Sequence, residues 1–347
     1  MIYPISTQSF TSATQQSVSQ IQAELADYET EMSTGTYANL GLTLGPSSGE
    51  DLSLQSQASV LQTLTTTNQT ASTRLSTTQS ILQTLQSSAQ DLLNDLLEGN
   101  SNNSNAATIQ LQGQNDLQGL ITSLNSSLGG DYIFAGINTA VAPITDYYSA
   151  GAANKAAVDN AFTAAFGMSQ TDPNVSSISG ASMQNFLDTQ FPSLFQGSNW
   201  STNWSSATNQ TLTNQISQAE TITTSVTANN PVFQQLAQAY TMAADLGTQN
   251  LGASAYQALS STAQKLLSSA ISNLINLQAS VGMAQTDITG ANNQMSLQTD
   301  ILSTQIGSLE NINTYDVATR ITDLQTQIET SYSLTAQLSQ LSLVKFL

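Results

Sequence analysis

Asp91, Asp95 and Glu98 lie four and three residues apart in the stretch DLLNDLLE, so on a helix they share one face. Oxygens so grouped are what a hard cation such as calcium takes. A second acidic group, Glu24, Asp27, Glu29 and Glu31, surrounds Leu25 and Tyr28. Both groups also have the form of the solvated outer face of an amphipathic helix, and neighbouring carboxylates alone define no site. GLTLGPSSG, residues 41–49, is glycine-rich, but it lacks the lysine of a phosphate-binding loop and follows no strand, so it reads as a turn. The chain has no His and no Cys. That removes the commonest general base, thiolate nucleophiles, disulfides and the usual zinc ligands. A catalyst would have to be built from Asp, Glu, Ser, Tyr or Lys, and no motif brings these together. We assign no catalytic residue, no cofactor and no metal site.

Charge narrows the partners. Charged residues make up 8% of the 347, against roughly 25% in ordinary soluble proteins. Ser, Thr, Gln and Asn fill the polar positions instead. Five basic residues face 23 acidic ones, a net charge of −18. Arg74, Lys155, Lys265, Arg320 and Lys345 are scattered, whereas nucleic acids and anionic membrane surfaces both require clustered cations. No apolar run approaches the roughly 20 residues of a membrane helix. The first residues, MIYPISTQSF, have neither the basic nor the long apolar region of an ordinary secretory signal.

The strongest signal is periodicity. Val18, Ile21, Leu25, Tyr28 and Met32 alternate three- and four-residue steps along one helical face. A Gly- and Ser-rich break spans 33–51. Helical spacing resumes at Leu54, and Leu61, Leu64, Ala71, Leu75, Leu82, Leu85, Ala89, Leu92 and Leu96 form one seam that only Asn68 and Thr78 interrupt. Residues 98–105 read as a loop, followed by a helix carrying Ile109, Leu117, Leu120, Leu124 and Leu128. Asn230 before Pro231 predicts a helix start, and that helix runs to about Leu246. Leu267, Leu274, Val281, Ile288, Met295, Leu302 and Leu309 then recur every seven residues, a coiled-coil pattern. A helix from about 255 to 312 would be roughly 85 Å long. The seam slips near Asp316 and restarts with Ile321, Leu324, Ile328 and Leu338. The last residues, LSQLSLVKFL, place Leu338, Leu341, Val344 and Phe346 where termini are usually polar and loose, and so read as an interface.

The middle, about 146–228, differs from its flanks. It holds both Trp residues and most of the Phe; TITTSVT (221–227) alternates like a strand, and NWSTNWSS reads as polar loop with exposed aromatics. The expected fold is therefore mainly α. The N- and C-terminal segments form a long antiparallel coiled-coil bundle, with a small α+β or β insert. The chain is expected to have three parts: terminal coiled-coil segments at 1–45 and 310–347, a helical core at 46–145 and 229–309, and an outward-facing insert at 146–228.

MSTGTY (32–37), the seam after it, GGDYIFAGINT (129–139), ASVG (279–282) and the ending QLSQLSLVKFL together resemble the flagellin superfamily, and more narrowly its hook–filament junction proteins. The resemblance covers about 1–145 and 265–347. Gly130, Tyr132, Phe134 and Gly136 stand at the positions of the family's Gly-x-Tyr-hydrophobic-Phe-Ala/Ser-Gly motif, and Phe346 stands at the Tyr of its ending. Thr36 stands where the family has a basic residue, and GPSSGEDL replaces its Asp-Asp-Pro-like loop. The resemblance implies a flagellin-like fold whose termini are disordered in the monomer and order when subunits stack. It implies a structural protein, not an enzyme, that joins hook to filament as a ring in the axial tube. Val18, Ile21, Leu25, Tyr28, Ile321, Leu324, Ile328, Leu338, Leu341, Val344 and Phe346 would form the subunit interface. The implied partners are further copies of itself, hook protein, the other hook-associated protein, flagellin, and an export chaperone on the C-terminal segment. Nucleic acid and membrane are not among them. The implied location is the extracellular flagellum, reached through the flagellar type III apparatus. The rivals are a divergent flagellin forming the filament itself, a secreted hydrolase, which the missing His and Cys disfavour, and a chemoreceptor-like coiled coil, which would carry a membrane segment.

Overall fold

A computed structural model describes residues 7–98 and 105–344, with side chains described for 12–98 and 105–337. It divides into two compact units, Met1–Gln62 with Ser296–Leu347 (unit 1) and Thr63–Met295 (unit 2). The helices are α1 (Thr7–Thr34), α2 (Leu40–Leu44), α3 (Ser48–Glu98), α4 (Ala106–Leu124), α5 (Ala153–Phe166), α6 (Gly180–Thr189), α7 (Gly197–Asn199), α8 (Pro231–Asp245), α9 (Ala253–Glu310) and α10 (Thr314–Val344). Two short antiparallel hairpins complete the fold: β1 (Ser127–Leu128) with β2 (Asp131–Tyr132), and β3 (Thr213–Gln215) with β4 (Thr221–Thr223). The architecture is the expected mainly α one, with long antiparallel helices drawn from both ends of the chain.

In unit 2, α3 and α9 run antiparallel, tied by Gln285 to Ser76 at 3.1 Å, Gln278 to Gln86 at 2.8 Å and Gln264 to the Leu96 carbonyl at 2.9 Å. Their seams face inward. Leu75, Leu82, Leu85, Leu92 and Leu96 are buried on one helix, and Leu267, Leu274, Val281 and Ile288 on the other. The two polar interruptions are buried too, because each has a partner. Asn68 Nδ2 donates to the Ile216 carbonyl (2.8 Å) and to Asn292 Oδ1 (2.7 Å), and the Thr78 hydroxyl donates to the Arg74 carbonyl. The Asn68 amide so bonded ties α9 and the Ile216 backbone to α3 in register, at the cost of leaving its own buried Oδ1 without a partner. Helices α4 and α8 cross so closely at Gly113 that a Cβ there would lie 2.6 Å from that of Ala243. Asn230 caps α8 by accepting from the Val232 N–H, with Pro231 in the first turn as expected.

The segment 146–228 is about half helical, counting its 3₁₀ and π turns, and contains the single hairpin β3–β4. Strand character ends at Thr223. Beyond it the Thr224 N–H donates to the Leu212 carbonyl, and the Ser225 hydroxyl accepts from the Leu212 N–H. Trp200 and Trp204 are not exposed, contrary to expectation. They stack at 5.5 Å and 11° and are at most 2% exposed. Trp200 Nε1 donates to Asn229 Oδ1 at 3.0 Å, and Ser205 donates to the same oxygen at 2.6 Å, while Trp204 Nε1 is buried without a hydrogen-bond partner and Asn199, Ser201 and Ser206 stay exposed. From Trp204 a chain of ring contacts runs through Phe195, Phe191 and Phe186 to Phe162. These rings belong to the same buried cluster as Leu75, Phe134, Phe233 and Leu274. Lys155 pairs with Asp159 (3.1 Å) and with Asp245 at the end of α8 (2.8 Å), and the Tyr147 hydroxyl donates to the same Asp245 oxygen at 2.6 Å. Burial, then that carboxylate, pushes the Tyr147 hydroxyl far above its ordinary range, so it stays a donor.

In unit 1, α1 and α10 pack antiparallel. Gln22 donates to the Tyr332 hydroxyl (3.0 Å), and Arg320 donates to that of Tyr28 (3.4 Å). The turn after α1 is clamped to the α9–α10 junction: the Tyr37 N–H meets the Glu310 carbonyl at 3.0 Å, and the Ile312 N–H meets the Gly35 carbonyl at 3.1 Å. Residues 41–49 are not the turn that their glycines suggest. They form α2, a 3₁₀ turn at Gly45–Ser47 and the start of α3. Pro46 fits there because a first helical turn needs no N–H from it, and Asn39 caps α2 by accepting from Leu42. Along the exposed helix faces, threonines such as Thr67, Thr70, Thr73 and Thr77 donate to the carbonyl four residues back.

Candidate functional site

Among the described residues the apolar surfaces are the most distinctive feature. The seams of α1 and α10 cover one another incompletely. Val18 and Leu324 are 8% exposed, while Ile21, Leu25, Tyr28, Ile321 and Ile328 are only half-buried. Leu338, Leu341 and Val344 lie in α10, but their side chains, and Phe346 altogether, fall outside the described residues. Among the described residues of unit 1 the buried apolar side chains are Val18, Leu61, Val317 and Leu324. Met32, Leu42, Leu52, Val60, Leu297 and Ile301 stand exposed in the same unit, with Tyr315 79% and Tyr332 54% accessible. The long heptad seam of α9 shows the same contrast within one helix. It is buried through Met295 but only half-buried at Leu302 and Leu309. A repeat that continues in sequence while its burial falls is an apolar face short of cover.

The GGDYIFAGINT stretch supplies the turn of the β1–β2 hairpin, strand β2 and the bends after it. Gly129 and Gly130, both at positive φ, make the two-residue turn that this hairpin geometry requires. Tyr132 is half-buried; Ile133, Phe134 and Ala135 are fully buried, with Phe134 edge-to-face on Phe233 at 5.6 Å. Gly136, at φ +68°, packs against the backbone of Thr208–Gln210. The motif thus seats the hairpin on α8.

The acidic candidates do not converge. Asp91 and Glu98 are exposed and Asp95 half-buried; Glu24, Asp27 and Glu29 are exposed, while Glu31 turns inward and accepts the Ala38 N–H at 3.2 Å. No group of three acidic residues able to hold a metal ion occurs among the described residues. One carboxylate that sequence reading passed over is distinctive. Asp116, on the apolar face of α4 with Leu117 and Leu120, is 7% exposed and accepts from Ser88 (2.7 Å) and Gln112 (3.1 Å). Its signal was an acid standing in a helical apolar stripe.

Burial pushes the Asp116 carboxyl up to about 6. The Ser88 and Gln112 hydrogen bonds oppose the shift, and the nearby Asp91 and Asp95 charges add to it. A folded-state value above the unfolded one means that the folded chain holds the proton longer. This group's contribution therefore rises as pH falls from above 6 towards 4. Asp116→Asn is expected to raise the urea midpoint at pH 7.5, with the gain over the parent shrinking by pH 4.5. Parallel midpoints across that range would refute it.

Comparison with known families places these features. Residues 5–139 match the bacterial flagellin N-terminal helical region and residues 264–347 its C-terminal helical region, together well over half of the chain. No curated protein sequence matches. A solved structure from Vibrio parahaemolyticus, provisionally described as a flagellar hook-associated protein, is similar over 76% of this chain and 97% of its own, with a TM-score of 0.52 and 11% identity. At that identity the likeness is one of fold.

Proposed function

This chain belongs to the flagellin superfamily and is a structural component of the bacterial flagellum, and on that premise we propose that it joins hook to filament, as a ring of subunits in the axial tube. The observation that carries the reading is the thin core of unit 1. Among the described residues α1 and α10 bury only three apolar side chains, Val18, Val317 and Leu324, so two long helices with apolar seams hold together best when neighbouring copies supply the rest of the cover. The interface then comprises Val18, Ile21, Leu25 and Tyr28 of α1 with Ile321, Leu324 and Ile328 of α10, continued by Leu338, Leu341, Val344 and Phe346. The stretch DYIFAG and the ending LSLVKFL favour a junction protein over a filament-forming flagellin. Its neighbours in the tube would be hook protein, the other hook-associated protein and flagellin. Before export by the type III apparatus a chaperone would shield the C-terminal segment.

Two experiments test this. A strain lacking the chain is expected to keep its hooks and shed unpolymerised flagellin into the medium; filaments of normal length would overturn the junction role. Ile321→Asp with Ile328→Asp is expected to abolish incorporation while leaving the melting of unit 2 unchanged. Each substitution replaces a side chain whose full burial contributes about 1.5–3 kcal/mol with a charge at an apolar contact. Motile cells carrying the double variant would refute the interface.

A further inference from the structure

The junction end of unit 1 holds a cleft of about 310 Å³ lined by Tyr28, Glu31, Tyr37, Asn313, Asp316 and Arg320, among others. Arg320 is one of five basic residues in the whole chain. Its guanidinium lies over the Tyr28 ring, 5.8 Å from the centroid, and donates once, to the Tyr28 hydroxyl at 3.4 Å. Among the described residues it makes no ion pair; both pairs found there belong to Lys155. This is unexpected on local grounds. Asp316 stands one turn earlier on the same helix, in the order that normally favours an acid–base pair. Asp316 lies instead in the first turn of α10, where the positive end of the helix favours a carboxylate, and Glu31 turns inward to the Ala38 N–H. The exposed guanidinium is thus held beside an aromatic ring with most of its five N–H donors open to solvent.

We propose that Arg320, positioned by Tyr28, receives a carboxylate side chain from a second copy of this chain, a proposal that rests on the self-association reading above. The occupant follows from charge. With 23 acidic residues against five basic ones, what an identical neighbour presents is carboxylate, and Glu24, Asp27, Glu29, Asp323 and Glu329 are exposed in the same unit. The planar fork of arginine matches a carboxylate in two parallel hydrogen bonds. Glu31 and Asp316 flank the site and oppose a free small anion. The carboxylate is accepted when apolar contacts already hold the neighbour in place. Arg320 therefore acts on registration: a misplaced neighbour meets Glu31 and Asp316 without the compensating fork.

The test uses the full chain and measures self-association by sedimentation at fixed ionic strength. Arg320→Gln is expected to weaken association at least about tenfold, and Arg320→Lys to recover only part of it, with helical content and melting unchanged in both. A photo-crosslinking residue at 320 is expected to capture an Asp- or Glu-bearing peptide from an isotopically labelled second copy, and added acetate is expected not to compete. Unchanged association in Arg320→Gln, or capture within the same chain alone, would overturn the proposal while leaving self-association standing. A parent chain that does not associate at all would remove the self-association reading itself, and this proposal with it.

Discussion

Replacing residues 150–225 with a short Gly-Ser linker is expected to abolish the cooperative melting of unit 2. The stretch contributes Phe162, Phe186, Phe191, Phe195, Trp200 and Trp204, each at most 2% exposed, to the cluster that also buries Phe134, Phe233 and Tyr240. Burying one such ring contributes about 1.5–3 kcal/mol, so six of them match or exceed the roughly 5–15 kcal/mol by which a domain is usually stable. The excised chain should retain helical circular dichroism, lose its near-ultraviolet signal and bind a hydrophobic dye. A sharp calorimetric transition of parental size would show that the helices need none of this cover.

Gly136→Ala carries the second large effect. At φ +68° any side chain is strained, and an added Cβ would collide with the Thr208 hydroxyl oxygen and lie 2.6 Å from the Gln210 carbonyl and 2.7 Å from that of Thr208. Left-handed strain costs about 1–2 kcal/mol and overpacking about 1–3 kcal/mol. Two hydrogen bonds are also at stake: the Thr208 N–H to the Ala135 carbonyl (3.1 Å) and the Ile137 N–H to the Thr208 hydroxyl (2.9 Å). The melting temperature should fall by about 2–4 °C per kcal/mol lost. Gly129→Asn is the control. It also sits at positive φ, but in open space and at a turn position that Asn accepts, so it should stay close to the parent. Equal melting of Gly136→Ala and parent would mean that the backbone at 208–210 gives way freely.

The seams were legible because helical burial repeats. Leu267 to Met295 and Leu75 to Leu96 announce their inward face in spacing alone, and Asn230–Pro231 announces a helix start through its cap chemistry. What periodicity does not report is which non-periodic segment shares a core. The helical repeat stops on either side of 146–228, which marks a change of local structure. It says nothing about where Phe186 or Trp204 points: the Asn and Ser residues beside the tryptophans suggested water, and Asn199, Ser201 and Ser206 do face it, while both indoles turn inward. Pairings across great sequence distance were illegible for the same reason. That Tyr28 lies under Arg320, or Ser88 beside Asp116, depends on the register between helices, and no local pattern encodes it. The reading of 41–49 as a turn held only at Gly45, which ends α2 at positive φ, because Gly41, Pro46 and Gly49 occupy first helical turns, where they are tolerated.

The threonines that bond back to their own helices have a mechanical consequence. A hydroxyl sharing the carbonyl of the residue four back competes with the ladder bond at that carbonyl, which slightly loosens the helix and favours bending. With charged residues at 8% of the chain, there are few ionic pairs along the surface to stiffen what the hydroxyls soften. Helices built this way are expected to bend more readily than ones whose surface is laced with glutamate–lysine pairs.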